Sequence, residues 1–390
     1  MNMAIQQGIF KEHLAEWLAS SGDRKKRGEM AKEISRIAKV HKKSVSRSFR
    51  RVQMRDPCLP KRRGRSPYYT ADVTAALKYL WEIAHEPCGE LLHAIIAEYV
   101  TILKRDRQWT YGTETTDKLL SMSEATVKRR VTRFVRTRYV SHGKSSTKPG
   151  GILSVIPIRS DGWRDAPAGT MQLDTVAHCG HTLIGDFVYT VNCTDVATLW
   201  GGRRAQWNKG QEATVRSMEM IDEDVPFPIL EWHPDSGSEF INWHCKKWSE
   251  RRGQRMTRSR PNHKNDNCYV EERNGHIVRA WAGYARFDCR ETVDALNAIY
   301  DVLTPYLNHF VPSKRIVSKK RIGARWKITR EKIALPPYQR VLLRSDISDE
   351  VTQRLREEHE RLNPLILKRE IDRRLKRMFD VQKRCGEQRL

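Results

Sequence analysis

The chain has no CxxC pair and no Cys/His spacing of zinc-finger type, so its eight cysteines, at 58, 88, 179, 193, 245, 268, 289 and 385, outline neither a finger module nor a disulfide framework. They are expected to be reduced thiols in a cytoplasmic protein. His178, Cys179 and His181 lie together, yet neighbours in an extended segment face opposite ways and no second pair follows, so packing or a local hydrogen bond is expected rather than zinc. No apolar run approaches the roughly 18 residues that a membrane span needs, and no signal-peptide pattern is present, so a membrane is not an expected partner. A P-loop pattern is missing as well, which argues against ATP as an energy source for this chain. There is no internal repeat.

Acidic residues are scarce, 47 against 72 Lys and Arg, which leaves a net charge of +25. The excess is uneven: residues 24–65 carry 17 basic and three acidic side chains, a local balance of +14. A polyanion is the economical partner, because each Lys or Arg set against a phosphate releases condensed counterions. At 390 residues, 39% apolar with 11 Trp, the chain can build two to four packed domains.

The first 65 residues read as helical, with Ile34, Ile37, Ala38, Val45 and Phe49 at helical spacing around a polar break at 41–43. Ser44 is a plausible N-cap of the second helix, and Ser44, Ser46, Arg47 and Arg50 would lie on the reading helix of a helix-turn-helix. The alternative is an ordinary basic hairpin of helices. A linker-like run, PKRRGRSPYYT, follows at 60–70, and a second helical region spans 66–140. Within it TTDKLLSMSEATVKRRVTRFV offers another helix-turn-helix, turning at 121–123, with Lys128, Arg129, Arg130 and Arg133 on a basic face that could equally be plain solvated surface. Residues 141–167 are rich in Ser, Gly and Pro and read as a linker.

Beyond the linker the pattern changes to GTMQLDTVA, DFVYTVNCTD and VATLWGGRRA as strands, a helix at 210–221, a strand FPILEWHPD, and a helix over 267–285. Three antiparallel strands followed by helix, strand and helices describe an α/β ribonuclease-H-like core with a mixed five-stranded sheet, placed at 168–311. Residues 312–390 turn basic again, with a small β element around SKKRIGARWK and two C-terminal helices split at Asn363–Pro364.

Three carboxylates stand out in this core. Asp174 lies in the first strand, Asp235 ends the fourth, and Glu271 sits on the late helix with 35 residues between it and Asp235. Gathering three acids is unfavourable unless divalent cations neutralise them. The segments MQLDTVAHCG, HPDSGSEFIN and TRSRPNHKNDNCYVEERNG together resemble the DDE transposase and retroviral-integrase superfamily, especially bacterial insertion-sequence transposases with an integrase-type catalytic core. The resemblance covers about residues 168–310, and the flanking DNA-binding modules in kind.

Carried onto this chain, the resemblance makes Asp174 the first-strand aspartate and Asp235 the aspartate of the D-x-G-x-E-F element, with Ser236 where Asn is common. Glu271 becomes the glutamate of the E-x-x-N element, since Asn274 follows at the right distance; Glu272 is the competitor. Glu239 and Asp266 are nearby acids for which a helix-start or loop-capping role is expected. Gly237 is expected to permit a tight turn beside Asp235. Lys264, Arg273 and Arg279 border the catalytic helix and could hold DNA phosphates or be solvated charges. The resemblance implies a transposase that takes two Mg²⁺ or Mn²⁺ ions, cleaves element ends, and transfers the 3′-hydroxyl into target double-stranded DNA. It also implies a homo-oligomer on DNA, with a partner ATPase as a possibility. Alternatives are a nuclease that cuts without joining, a DNA-binding regulator with a vestigial core, and a ribonuclease H.

Overall fold

The computed structural model describes residues 3–54, 68–135, 156–159, 163, 165–235, 237–260, 266–322 and 325–387. Two compact units divide at Tyr68. The first contains α1 (Met3–Glu12), α2 (Leu14–Ala19), α3 (Arg24–Ile37) and α4 (Lys42–Gln53). Its core is assembled from Phe10, Trp17, Met30, Ile34, Val45 and Phe49, and Trp17 stacks on Phe49 with ring centroids 4.4 Å apart. Helix α3 starts where Asp23 accepts the backbone N–H groups of Lys25 and Lys26, satisfying two of the donors a helix start leaves open. Helix α4 departs from the expected cap: His41 is the N-cap, its Nδ1 accepting from Lys43 N at 3.3 Å, so Ser44 lies inside the first turn. An imidazole nitrogen can take an orphan donor as a hydroxyl does, and the chain enters the helix three residues earlier.

The second unit opens with α5 (Ala71–Ile83), α6 (Gly89–Arg105), α7 (Thr113–Leu120) and α8 (Glu124–Val135). Their apolar stripes, including Leu77, Leu80, Trp81, Ile95, Tyr99 and Leu103, share one core with a later helix, α13 (Glu291–Phe310), through Leu303, Tyr306 and Phe310. Tyr306 fixes that contact by donating its hydroxyl to Ile83 O at 2.6 Å.

Next come β1 (Thr170–Ala177), β2 (Val188–Asp195), β3 (Gly201–Trp207), α9 (Gln211–Asp224), β4 (Glu231–Pro234), α10 (Trp243–Arg251) and β5 (Arg255–Met256). The sheet order is β3-β2-β1-β4-β5, with β1, β2 and β3 antiparallel and β4 and β5 parallel to β1. That mixed five-stranded sheet with flanking helices fits a ribonuclease-H-like core. The period-2 alternation of strands divides β1 cleanly: Met171 and Leu173 enter the core beneath α9 and α10, while Gln172 and Asp174 share the opposite face.

After β5, α11 (Cys268–Arg273) runs into a π-helical stretch, Asn274–Arg279, and then α12 (Ala280–Ala282), so the single long helix read from sequence is interrupted where the backbone widens by a residue per turn. The long α13 (Glu291–Phe310) covers the Gln172 and Asp174 face of the sheet. A basic hairpin, β6 (Ile316–Ile322) and β7 (Arg325–Arg330), precedes α14 (Pro337–Leu342), α15 (Asp349–Arg361) and α16 (Pro364–Glu387). Asn363 caps α16 by accepting from Leu365 N and Ile366 N.

One cysteine expectation is corrected. Cys289, just ahead of α13, and Cys385, near the end of α16, form a disulfide across 96 residues of sequence, because α13 and α16 pack side by side and bring their ends together. Cys88, Cys179, Cys193, Cys245 and Cys268 are free thiols, and Cys58 lies outside the described residues. His178 is fully buried, hydrogen-bonded to Thr190 Oγ1 at 2.8 Å, and held down to about 3 by burial. Among the described residues no helix is long and apolar enough to cross a membrane.

Candidate active site

Asp174 lies on β1 one residue past Leu173, which pairs with Pro234 of β4, so the aspartate that follows β4, Asp235, sits at the same level on the adjacent strand. Both side chains are half-buried. Burial, reinforced by the charges of Asp235, Glu271 and Glu239, pushes the Asp174 carboxyl up to about 7. Asp235 is raised too, again by burial and by Glu239, against a backbone N–H from Gly237 and the Lys209 ammonium. Carboxylates raised by burial and by neighbouring acids are the electrostatic signature of a site that favours a cation.

The backbone around these acids is tightly specified. Thr175 N donates to Asp174 Oδ1 at 2.7 Å, and Gly237 N donates to Asp235 Oδ1 at 2.9 Å. Gly237 lies in a turn beside Asp235 without left-handed backbone, its carbonyl accepting Phe240 N at 3.1 Å and Ile241 N at 2.9 Å. Glycine leaves room for both acids: a Cβ there would meet Glu239 Oε2 at 2.7 Å and Asp235 Oδ1 at 2.9 Å, so a larger residue would make those carboxylates move. Glu239 itself is only 5% exposed and accepts from Thr175 Oγ1 and Lys209 Nζ, each at 2.8 Å. Burial pushes its carboxyl up, but the Lys209 contact outweighs that and leaves it lowered.

Helix α11 is clipped to β1 by a residue that the motif reading passed over. Gln172 is fully buried; its Oε1 accepts Tyr269 N at 2.9 Å and Val270 N at 3.3 Å, while its Nε2 donates to Asp266 O at 3.0 Å. Asn267 Nδ2 adds a bond to Leu173 O at 2.8 Å. Gln172 thus supplies the acceptors that the first turn of α11 lacks, two residues from Asp174 and on the same face. A period-2 reading of β1 contained that signal. Of the two adjacent acids on α11, Glu271 is the one whose charge reaches Asp174. Glu272 Oε1 lies 3.9 Å from Arg330 of β7. Asp266 is engaged with Arg260, accepting its backbone N–H at 2.9 Å and pairing with its guanidinium at 2.8 Å.

The donor set of this cluster, carboxylate oxygens with raised affinity for protons, fits a hard divalent cation such as Mg²⁺ or Mn²⁺. Among the described residues the three carboxylates do not bring their oxygens within 4.8 Å of one another as one ligand group, so the cluster is more open than the shell of a single ion. The group that meets that spacing is Cys289, Glu291 and Cys385, whose two sulfurs are joined as a disulfide.

Of the residues considered for DNA contact, Ser46, Arg47 and Arg50 are exposed on α4, and Ser44 is half-buried. On α8, Arg129 and Arg133 are exposed. Lys128 pairs with Glu124 at 2.7 Å and Glu90 at 3.3 Å, and Arg130 packs over the Tyr69 ring with bonds to Thr74 and to Tyr69 O. Arg273 donates to Ser313 Oγ at 3.1 Å and is lowered to about 10 by burial. Arg279 donates to Ala177 O at 2.6 Å beneath Tyr284. Lys264 lies outside the described residues.

No protein-family model matches the chain. Among solved structures, the catalytic core domain of BIV integrase is similar at 13% identity and a TM-score of 0.30, covering 45% of this chain and 95% of that one. Among curated proteins, the uncharacterized protein y4rM of Sinorhizobium fredii is 33% identical over 312 residues, spanning 79% of this chain and 87% of that protein. At that identity and extent, the chain belongs to the same family as y4rM.

Proposed function

We propose that the protein is a DNA transposase: a polynucleotidyl transferase that cleaves at the ends of an element and joins the 3′-hydroxyl to target double-stranded DNA. The observation that carries this reading is the placing of Asp174 and Asp235 on adjacent strands, both raised by burial and by neighbouring carboxylates, with Glu271 on a helix clipped to the same strand through Gln172. Asp174, Asp235 and Glu271 would hold Mg²⁺ or Mn²⁺, two ions per site in this reading. Such ions, when bound, lower the barrier to in-line displacement at phosphorus by polarising the phosphate and the attacking oxygen.

The protein's own groups do the rest. Thr175 N–H and Gly237 N–H fix the rotation of the two aspartates, Gln172 fixes the approach of Glu271, and Lys209 keeps Glu239 ionised without drawing it into the ligand set. The exposed basic faces of α4 and α8 supply phosphate contacts. A homo-oligomer would pair two element ends, and a partner ATPase would act on target choice.

The test incubates full-length protein with supercoiled plasmid, a labelled duplex from the ends of its own genomic element, and Mg²⁺ or Mn²⁺, with Asp174→Ala as control. Label joined to plasmid by the wild type alone supports the transposase. Metal-dependent nicking without joining would replace it by a nuclease, and tight binding without chemistry in either metal by a regulator.

A further inference from the structure

The sheet register lines up three polar side chains across three strands. Asp174 of β1 is paired with Asn192 of β2, and Asn192 with Arg203 of β3. Arg203 is 2% exposed, yet no carboxylate among the described residues offsets its charge. Its Nε donates to Asn192 Oδ1 at 3.4 Å and its Nη1 to Thr304 Oγ1 of α13 at 3.1 Å. Asn192 Nδ2 donates to Asn274 Oδ1 at 2.8 Å, and Asn274 Nδ2 to Asp174 Oδ2 at 2.6 Å. A Cβ on Gly201 would run into Arg203 Nη2, so that glycine keeps the guanidinium's space open.

The direction of this chain is dictated by its ends. A guanidinium only donates and a carboxylate only accepts, so each amide between them must turn its oxygen toward Arg203 and its NH₂ toward Asp174. We propose that Arg203 and Asn192 are positioning residues for the metal-binding aspartate: the buried cation orients two amides in series, and they present a fixed donor to Asp174 Oδ2. This inference rests on the metal-binding reading of Asp174. Burying a guanidinium without an ion-pair partner is strongly unfavourable, and a purely structural slot would be filled better by an apolar side chain. The cation is retained because it polarises a hydrogen-bond chain that ends on a ligand, and outer partners of that kind change metal affinity by about 10- to 100-fold when removed.

The experiment measures Mn²⁺ affinity by EPR titration of the full-length protein without DNA, alongside thermal melting in EDTA. Wild type should bind Mn²⁺ and Asp235→Asn should not; if wild type binds none, the metal reading itself falls and takes this proposal with it. Given that baseline, Arg203→Met is expected to weaken Mn²⁺ binding about tenfold with a melting temperature close to wild type in EDTA, and Arg203→Lys to recover most of the loss. A folded Arg203→Met with wild-type affinity overturns the proposal. Should Arg203→Met not fold, Asn192→Asp decides. The new carboxylate pairs with Arg203 but can no longer donate to Asn274, whose amide must then turn its oxygen toward Asp174. Weaker Mn²⁺ binding supports the relay, whereas equal or tighter binding, the simple result of added negative charge, overturns it.

Discussion

Replacing Asp235 by Asn should stabilise the metal-free protein and abolish its response to metal. Adjacent strands are about 4.8 Å apart, and at about 5 Å two ionised carboxylates in an effective dielectric near 20 repel by about 3 kcal/mol. The substitution removes that repulsion between Asp174 and Asp235 and keeps the one hydrogen bond described for Asp235, because an amide oxygen can still accept Gly237 N–H. A net gain of about 1–3 kcal/mol is expected, or a rise in melting temperature of about 2–6 °C.

The pH dependence fixes the sign. Asp174 titrates near 7 in the folded protein against an ordinary 3.8, so between those values the folded state holds more protons than the unfolded state, and metal-free stability falls as pH rises from about 4 to about 7. The gain from Asp235→Asn should therefore be full at pH 8 and small at pH 5, measured by calorimetry in EDTA. Adding Mg²⁺ or Mn²⁺ at pH 8 should raise the wild-type melting temperature past that of the variant. A variant less stable than wild type in EDTA at pH 8, or one that responds equally to metal, would refute the reading of these acids as a cation-seeking pair.

Other substitutions probe the surrounding shell. Gln172→Leu strips the acceptors from the start of α11 and should lower stability by about 2–3 kcal/mol and end cleavage together, while Gln172→Glu, which keeps an acceptor, should retain much of the stability; denaturant melts and the cleavage assay report both. Gly237→Ala drives a methyl group against Asp235 and Glu239, and should erase Mn²⁺ binding while element-end binding by gel shift stays within tenfold of wild type. On α8, Arg129→Gln with Arg133→Gln should flatten the salt dependence of DNA binding by about 1–2 in log–log slope, whereas Lys128→Gln should change it little because Lys128 already pairs with Glu90 and Glu124.

Much of the core was legible because its information is local and periodic. The pattern of GTMQLDTVA marked β1 as a strand carrying Asp174, and the helical region read at 66–140 contains α5 to α8, with Leu77 and Ile95 in their core. Helix starts were less legible: the N-cap is a choice among several polar residues, and His41 took the place expected of Ser44. The Cys289–Cys385 pairing depends on how α13 and α16 pack, which no spacing rule encodes.

The polar shell was illegible for a deeper reason. Asp174 belongs to a motif that one segment can display, but the residues that hold its side chain come from β2, β3 and the π-helical stretch, brought into line only by strand register. Register is a relation between strands, and shifting one by a single residue would send Asn192 to the opposite face. Arg203, in a run of two arginines, reads from sequence as part of the chain's excess positive charge; the register turns it inward, and its neighbour Arg204 pairs with Asp224 and Asp301 instead. The same charge that looked like an affinity for nucleic acid is, at Arg203, committed to the interior, where it can act on the site's first aspartate through two amides.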